Sequence, residues 1–527
     1  MRRSALRVLL LGVVIAFTVS ALTFAQSPAA PWAPAGYLKT SNPDEDDHLG
    51  AGNALMGAAL ALSRDATILA VAAPHEDSAA RGINGNQRDN SAIDAGAVYV
   101  FTRSGSAWLQ QAYIKAPNSQ AGDAFGFALA LSADGNTLAV SANFEDSGAT
   151  GVNGSQADES AEGSGAVYVY VRAGTSWSQQ SYLKPSNTNE GDRFGYSVAL
   201  SDDGSTLAVG AIGEDSAATA VNGNQADDAA AQAGAVYVFT RAGSSWSQRA
   251  YLKASNAEGG DMFGFCVALN GDGNTLGVCA YDEDSSAEGV DGDQSSNASN
   301  GSGAAYVFVR SGTTWSQQAY IKASNTTLQM ALGAAIAVSA DGNTLAVCAI
   351  DEDGLSSGVG AVQWQADRRA EERTRVAEAS AGAVYLYGRT GNRWSFQTYI
   401  KPSNIRANDY FGMRLALSRD GSVLVAGAPQ QPGGGAGVNP GATDASAPES
   451  GAVYTFTRTG TRWTQDAYVK ASNAEAYDQF GSALALSGDG STLAIAAMGE
   501  DGGAAAVNGN ERDNSVRDAG AVYLYRR

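Results

Sequence analysis

Residues 125–184 read FGFALALSADGNTLAVSANFEDSGATGVNGSQADESAEGSGAVYVYVRAGTSWSQQSYLK. Four short β-like runs stand in this stretch: Phe125–Ser132 (A), Thr137–Ala142 (B), Ala166–Arg172 (C) and Trp177–Lys184 (D). Asp134-Gly135 separates A from B, and Ala173-Gly174 helps separate C from D. Both are short hairpin signals, because glycine supplies the positive φ that a tight primed turn needs. Runs A and B are apolar on both faces, as in LALS and TLAV, so they read as strands covered on both sides. Run D mixes Ser, Gln and Lys with its aromatics and reads as a strand nearer solvent. The stretch therefore encodes one four-stranded antiparallel sheet.

That unit recurs along the chain. Tyr-(Leu/Ile/Val)-Lys begins at Tyr37, Tyr113, Tyr182, Tyr251, Tyr320, Tyr399 and Tyr468, and Gly-Ala-(Val/Ala)-Tyr at Gly96, Gly165, Gly234, Gly303, Gly382, Gly451 and Gly520. Four of the six tyrosine spacings are 69 residues, and the others are 76 and 79. A period this long points to a repeat architecture and not to separate domains. Asp-Gly recurs at Asp203, Asp272, Asp341, Asp420 and Asp489, but the first unit has Asp65-Ala66. Alanine takes positive φ poorly, so a looser first hairpin is expected.

The ends complete the count. Trp32–Lys39 (WAPAGYLK) is a lone D run, while the last unit has A from Phe480, B from Thr492 and C over Ala521–Arg527. One orphan D and one A-B-C make a seventh sheet. The expectation is an all-β fold: a seven-bladed β-propeller of four-stranded antiparallel blades, closed by the N-terminal outer strand joining the C-terminal three. Closure of this kind removes exposed sheet edges.

Composition narrows the functional classes. The 527 residues carry 34 Lys+Arg against 54 Asp+Glu, a formal charge of −20, with 2 His and 3 Cys. Charged residues at 17% and hydrophobic residues at 44% are those of a chain with a sizeable core. The acidic balance excludes a nucleic-acid partner, which requires a Lys/Arg surface. Two histidines leave little room for His-based catalysis or a multi-His metal site. Residues 1–25 read as a signal peptide, with Arg2, Arg3 and Arg7 before the apolar Val8 to Val19, and Thr23-Phe24-Ala25 placing small residues at −3 and −1 of a cut before Gln26. Residues 26–31 form a short linker, and 32–527 a single propeller. No later segment approaches the 18 apolar residues of a membrane span. The expected product is a secreted protein: extracellular, surface-associated or periplasmic.

Phe125-Gly126, Phe194-Gly195, Phe263-Gly264, Phe411-Gly412 and Phe480-Gly481 open strand A, a stretch such as Leu207 to Ala211 follows in B, and Gly-Ala-Val-Tyr opens C. This order resembles the FG-GAP repeats of the integrin α-subunit propeller and its bacterial relatives, across roughly residues 32–527. The Phe-Gly pair departs at Met56-Gly57 and Leu332-Gly333. The resemblance implies a seven-bladed propeller, used in adhesion or ligand binding and often calcium-bound. The family's calcium loop lies between A and B, where this chain has only turns such as Ser201 to Thr206. One or two carboxylates in a tight hairpin do not supply the six to eight oxygens calcium takes.

Antiparallel order puts the A–B and C–D turns on one face and the B–C and D–A connections on the other. The B–C loops, about twenty residues long, far exceed typical connections, and long loops on a rigid frame carry binding function. They share a pattern: Glu145-Asp146, Asn153 and Asp158 in the second unit; Glu214-Asp215, Asn222 and Asp227 in the third; Glu76-Asp77, Glu283-Asp284 and Glu500-Asp501 in the first, fourth and seventh. Two readings stand. These hard oxygen donors hold a divalent cation, calcium first, or they make turns and keep the loops soluble. Two units break the pattern: the sixth has Gln430-Gln431-Pro432, and the fifth keeps Asp351-Glu352-Asp353 but then runs Gln365 to Ser380, of helix-forming composition, read as a solvated loop or else a partner-docking segment. Recurrent aromatics such as Trp177, Tyr168 and Tyr182 read as blade packing before carbohydrate stacking.

Cys266 in strand A and Cys279 in strand B of the fourth unit are cross-strand partners if Asp272-Gly273 centres their hairpin, and export would permit a disulfide between them. Two buried thiols are the alternative; Cys348 reads as an apolar filler. No Gly-x-Ser-x-Gly elbow, His-Glu-x-x-His or phosphate loop is present. The leading reading is an exported, non-enzymatic, adhesion-type binding protein whose long-loop face engages a surface protein or glycan. The alternatives are a secreted polysaccharide lyase or hydrolase with carboxylates in the propeller mouth, and a purely structural surface or matrix protein.

Overall fold

A computed structural model of the chain describes residues 30–51, 59–360, 379–441, 443–505 and 507–527. Residues 1–25, expected from the sequence to be a signal peptide, Met56-Gly57 and most of the segment 365–380 lie outside the described residues. Trp32–Arg527 forms one compact unit. It consists of seven antiparallel sheets, with no helix among the described residues.

The second unit shows the common design. Leu129–Leu131, Thr137–Ala142, Ala166–Ala173 and Ser176–Leu183 are strands A to D. B is fully buried, its residues from Thr137 to Ala142 pairing with Val171 to Ala166 of C. In the closing unit Ala33–Leu38 pairs with Ala521–Arg526, with Tyr37 opposite Tyr523, and the order continues through Thr492–Ala497 to Phe480–Leu486. The lone N-terminal D run thus completes the sheet of the last A-B-C.

The two sequence markers meet at the joints between blades. The N–H of Phe194 donates to the Ser164 carbonyl of the preceding unit at 2.8 Å, as Phe263 does to Ala233 at 2.9 Å. A Cβ on Gly165 would lie 2.2 Å from the Phe194 carbonyl oxygen, and Gly165 also holds φ at 79°. Only glycine admits both the approach and the angle. The recurrent tyrosines pack against Phe-Gly within their own blade: Phe194 and Tyr237 meet edge-on with ring centroids 5.6 Å apart, and Tyr237 and Tyr251 meet tilted at 5.3 Å.

On the hairpin face the ring closes through its backbone. Arg64 N–H donates to Ala133, Ala133 to Asp202, Asp202 to Gly271, Gly271 to Ala340, Ala340 to Arg419, Arg419 to Gly488 and Gly488 back to Arg64, each at 2.9–3.0 Å. An Asp202–Arg419 ion pair joins positions three steps apart on this seven-membered cycle.

The structure alters four expectations. The partner of Phe-Gly in the first unit is Leu49-Gly50, not Met56-Gly57: Leu49 donates to Ala519 at 3.0 Å and Gly50 to Ala72 at 2.7 Å, matching Phe125 to Ala95 and Gly126 to Ser141. The residues that stretch the first spacing to 76 therefore fall between Gly50 and Ala59. The Asp65-Ala66 hairpin is not looser, since Ala66 takes φ 54° and donates to Ser63 at 2.9 Å just as Gly135 does to Ser132. Two sheets gain a fifth strand, Gly358–Val359 and Gly437–Val438, where the B–C loop folds back along strand D. Single bridges Ile83↔Ile114, Val152↔Leu183 and Val290↔Ile321 do the same elsewhere. Finally, all three cysteines are free thiols. Val267↔Val278 keeps the register that would pair Cys266 with Cys279, but a bulge between Phe263 and Val267 interrupts it there. Cys266 Sγ instead meets the Ala334 carbonyl of the next blade.

Candidate functional site

Strand D and the B–C loop meet in a buried cluster that absorbs the acidic motif. Glu145 accepts from Tyr182 OH at 2.7 Å, Lys184 Nζ at 3.1 Å and Asn118 Nδ2 at 3.0 Å, and Asn118 in turn accepts from Tyr168 OH at 2.6 Å. Glu76, Glu214 and Glu283 repeat the ion pair with Lys115, Lys253 and Lys322 at 2.9, 2.9 and 2.7 Å, and Glu352 pairs with Lys401. Glu500 accepts from Tyr37 OH at 2.8 Å. These glutamates are all buried. Burial pushes the partner lysines Lys115, Lys184, Lys253 and Lys322 below the usual ammonium range.

The other candidates shape the loops. Asp77, Asp146, Asp215, Asp284 and Asp501 each accept one backbone N–H across their own loop, at 2.8–2.9 Å. Asn153 and Asn222 sit at φ 57° and 55° and accept the N–H of Tyr182 and Tyr251. Asp158 and Asp227 cap exposed turns through the N–H two residues on. Among the described residues no three His, Cys, Asp or Glu side chains converge to hold a metal ion. The loop motif is thus spent on internal hydrogen bonds, and the calcium expectation draws no support from this geometry.

A different region breaks the seven-fold monotony. Strand A lines an axial cavity of ≈ 120 Å³ with walls that include Tyr196, Ser197, Phe265, Cys266, Met413 and Arg414. Arg414 occupies a position held by Ala128, Ser197, Cys266, Ala335 and Ala483 in other units. An arc of touching rings borders one side, Phe144–Phe127–Tyr196–Phe265–Tyr281, with centroid separations of 6.4, 5.3, 5.5 and 4.4 Å. Arg193 lies over Phe144 at 5.4 Å.

Beside this arc, and including its end member Phe144, lie the residue before each Phe-Gly and the second residue beyond each strand B. The two segments touch through the backbone one residue earlier, as where Gly213 N–H donates to the carbonyl of Asp192, just before Arg193, at 3.1 Å, and Gly499 N–H to that of Asp478, just before Gln479, at 3.1 Å. Around the ring the pairs are His48/His75, Ala124/Phe144, Arg193/Gly213, Met262/Asp282, Ala331/Asp351, Tyr410/Gln430 and Gln479/Gly499. No two pairs are alike, whereas Glu or Gln follows the second member in every unit and Asp precedes the first member in six of the seven. Burial raises the carboxyls of Asp282 and Asp351 above the usual range. The sequence motifs do not group these residues as a site; the signal that finds them is variation between units that otherwise copy one another.

The sequence matches the FG-GAP repeat family over residues 108–170, 177–239, 246–308, 394–456 and 463–525, more than half of the chain. Each match runs from strand D of one blade through strand C of the next. No curated protein matches the chain. Among solved structures, the periplasmic gluconolactonase PpgL of Pseudomonas aeruginosa aligns at 13% identity with a TM-score of 0.43, covering 79% of this chain and 86% of that one.

Proposed function

The chain belongs to the FG-GAP repeat family, and from that premise we propose that it is an exported, non-enzymatic binding protein that takes a surface protein or glycan on its long-loop face. The ligand is anchored at the axial mouth, and the loop rims supply the surrounding contact. The observation that carries this reading is the concentration of unit-specific side chains at that mouth. Residues that hold the fold recur in every blade, while those that recognise one ligand have no reason to be seven-fold. Aromatic faces beside a guanidinium suit either sugar rings or a protein anchor residue.

A glycan and surface-protein array probed with the purified protein tests the proposal. Binding is expected to fall at least tenfold in Phe144→Ala and in Arg193→Ala, and to persist in Asp158→Ala and Asp227→Ala at the loop tips. Loss confined to the loop-tip variants would overturn the mouth as anchor. The enzyme reading rests on Asp282 and Asp351, two carboxyls of raised proton affinity in adjacent units, the type of group used for general acid–base work. A polysaccharide-degradation screen that gives products with the wild type and none with Asp351→Asn would favour it.

A further inference from the structure

The chain has only two histidines, and the fold brings both to one place. The rings of His48 and His75 meet with centroids 5.4 Å apart and planes at 77°. His48 comes from the turn entering strand A of the first unit, His75 from the exit of its strand B. Each Nδ1 faces an acceptor: His75 Nδ1 lies 2.7 Å from Asp94 Oδ1, and His48 Nδ1 lies 3.1 Å from the Met498 carbonyl oxygen. A neutral ring that donates to the oxygen it faces carries its proton on Nδ1 and leaves Nε2 as the lone-pair donor. This is the outer-shell arrangement that fixes the tautomer of metal-bound histidine, a carboxylate or carbonyl behind the ring.

The spacing fits as well. Zinc sits about 2.0–2.1 Å from an imidazole nitrogen, and the ring centre lies roughly 1.1 Å beyond, so two rings at a tetrahedral angle have centres about 5.2 Å apart. The observed separation is 5.4 Å. The His75 side chain is 41% exposed, leaving an approach from solvent. We propose that His48 and His75 bind one divalent transition-metal ion through their Nε2 atoms, with water in the remaining positions and Asp94 and the Met498 carbonyl as positioning groups. Imidazole ligation suits zinc, nickel or copper and not calcium. The site also straddles the ring's seam, because the His48 N–H donates to the Asp518 carbonyl of the last blade at 3.0 Å.

Titration calorimetry of the purified protein with zinc chloride, repeated with nickel chloride and calcium chloride, tests the site. One equivalent of zinc or nickel is expected to bind saturably, and calcium to give no competing heat. Affinity should drop at least tenfold in His48→Gln and in His75→Phe, and about tenfold or more in Asp94→Asn, which keeps the ligands but loosens their orientation. His75→Phe retains a ring against His48, so it answers for the pair if His48→Gln unfolds, as judged by circular dichroism. No saturable binding, or binding unchanged by His75→Phe, would overturn the proposal.

Discussion

Gly234 acts by what it lacks. A Cβ there would sit 2.2 Å from the Phe263 carbonyl oxygen and 2.6 Å from its nitrogen, at a φ of 77°. Gly234→Ala must therefore push two blades apart or distort both backbones, and denaturant unfolding is expected to show a loss of about 2–3 kcal/mol. Ala66 offers the opposite case. It holds a left-handed turn that glycine occupies at Gly135 and Gly204. An L-residue in that region costs about 1–2 kcal/mol, partly offset by glycine's greater unfolded-state entropy. Ala66→Gly should thus raise stability by about 0.5–1 kcal/mol in the same measurement.

The tie between B–C loop and strand D is an element-scale device, and the sixth unit is its natural variant. There Gln431 replaces glutamate and accepts from Tyr468 OH at 3.0 Å and Lys470 Nζ at 3.2 Å. Burial, with no carboxylate at that position, lowers Lys470 to about 7. Glu214→Gln imposes the same loss on the third unit, leaving Lys253 buried beside a neutral amide; an expected cost of about 3 kcal/mol reflects removal of one member of a buried pair. Gln431→Glu should gain about 1–2 kcal/mol, the worth of a hydrogen bond to a charged group. Both are read from urea unfolding midpoints.

The same elements show what the sequence could and could not reveal. Strands B, C and D stood out because apolar runs, Asp-Gly turns and Tyr-x-Lys recur in order, and Trp32–Lys39 could be paired with the C-terminal strands by counting. The fate of Glu145 was hidden because its partner Lys184 lies 39 residues away, and a recurring acidic pair looks the same whether it faces solvent or a buried ammonium. The cysteine pairing failed for a local reason: Gly264 takes φ 97° and accompanies a bulge that counting outward from the turn does not include. The first Phe-Gly position was misplaced because Leu49-Gly50 is separated from the rest of strand A by extra residues. The sequence places the mouth but not its lining, because the side chains that gather there differ from unit to unit and carry no recurring motif.

At the scale of the molecule, six aspartates two residues before the Phe-Gly position titrate together. Burial raises Asp123, Asp192, Asp261 and Asp409 to about 7 and Asp47 and Asp478 to about 8. In the unfolded chain such groups titrate near 3.9. The folded state therefore binds more protons between about pH 4 and 8, so this contribution is fully present below the unfolded value and is lost as pH rises through the folded one. Lys39 and Lys470, lowered to about 8 and about 7, act in the opposite direction only near and above those values. Thermal melts should show a midpoint that falls from pH 5 to 7.5, and Asp192→Asn should flatten the fall.

The last blade draws its outer strand from Ala33–Leu38 and its other three from Phe480 onward. During synthesis the N-terminal strand emerges hundreds of residues before its partner exists. Until Ala521–Arg526 leaves the ribosome, the first strand has no mate, and both rims of the growing arc stay open to stray pairing. A nascent chain of this design gains its final cooperativity in one late event, so premature termination anywhere before that segment leaves a product that proteases can enter from either rim.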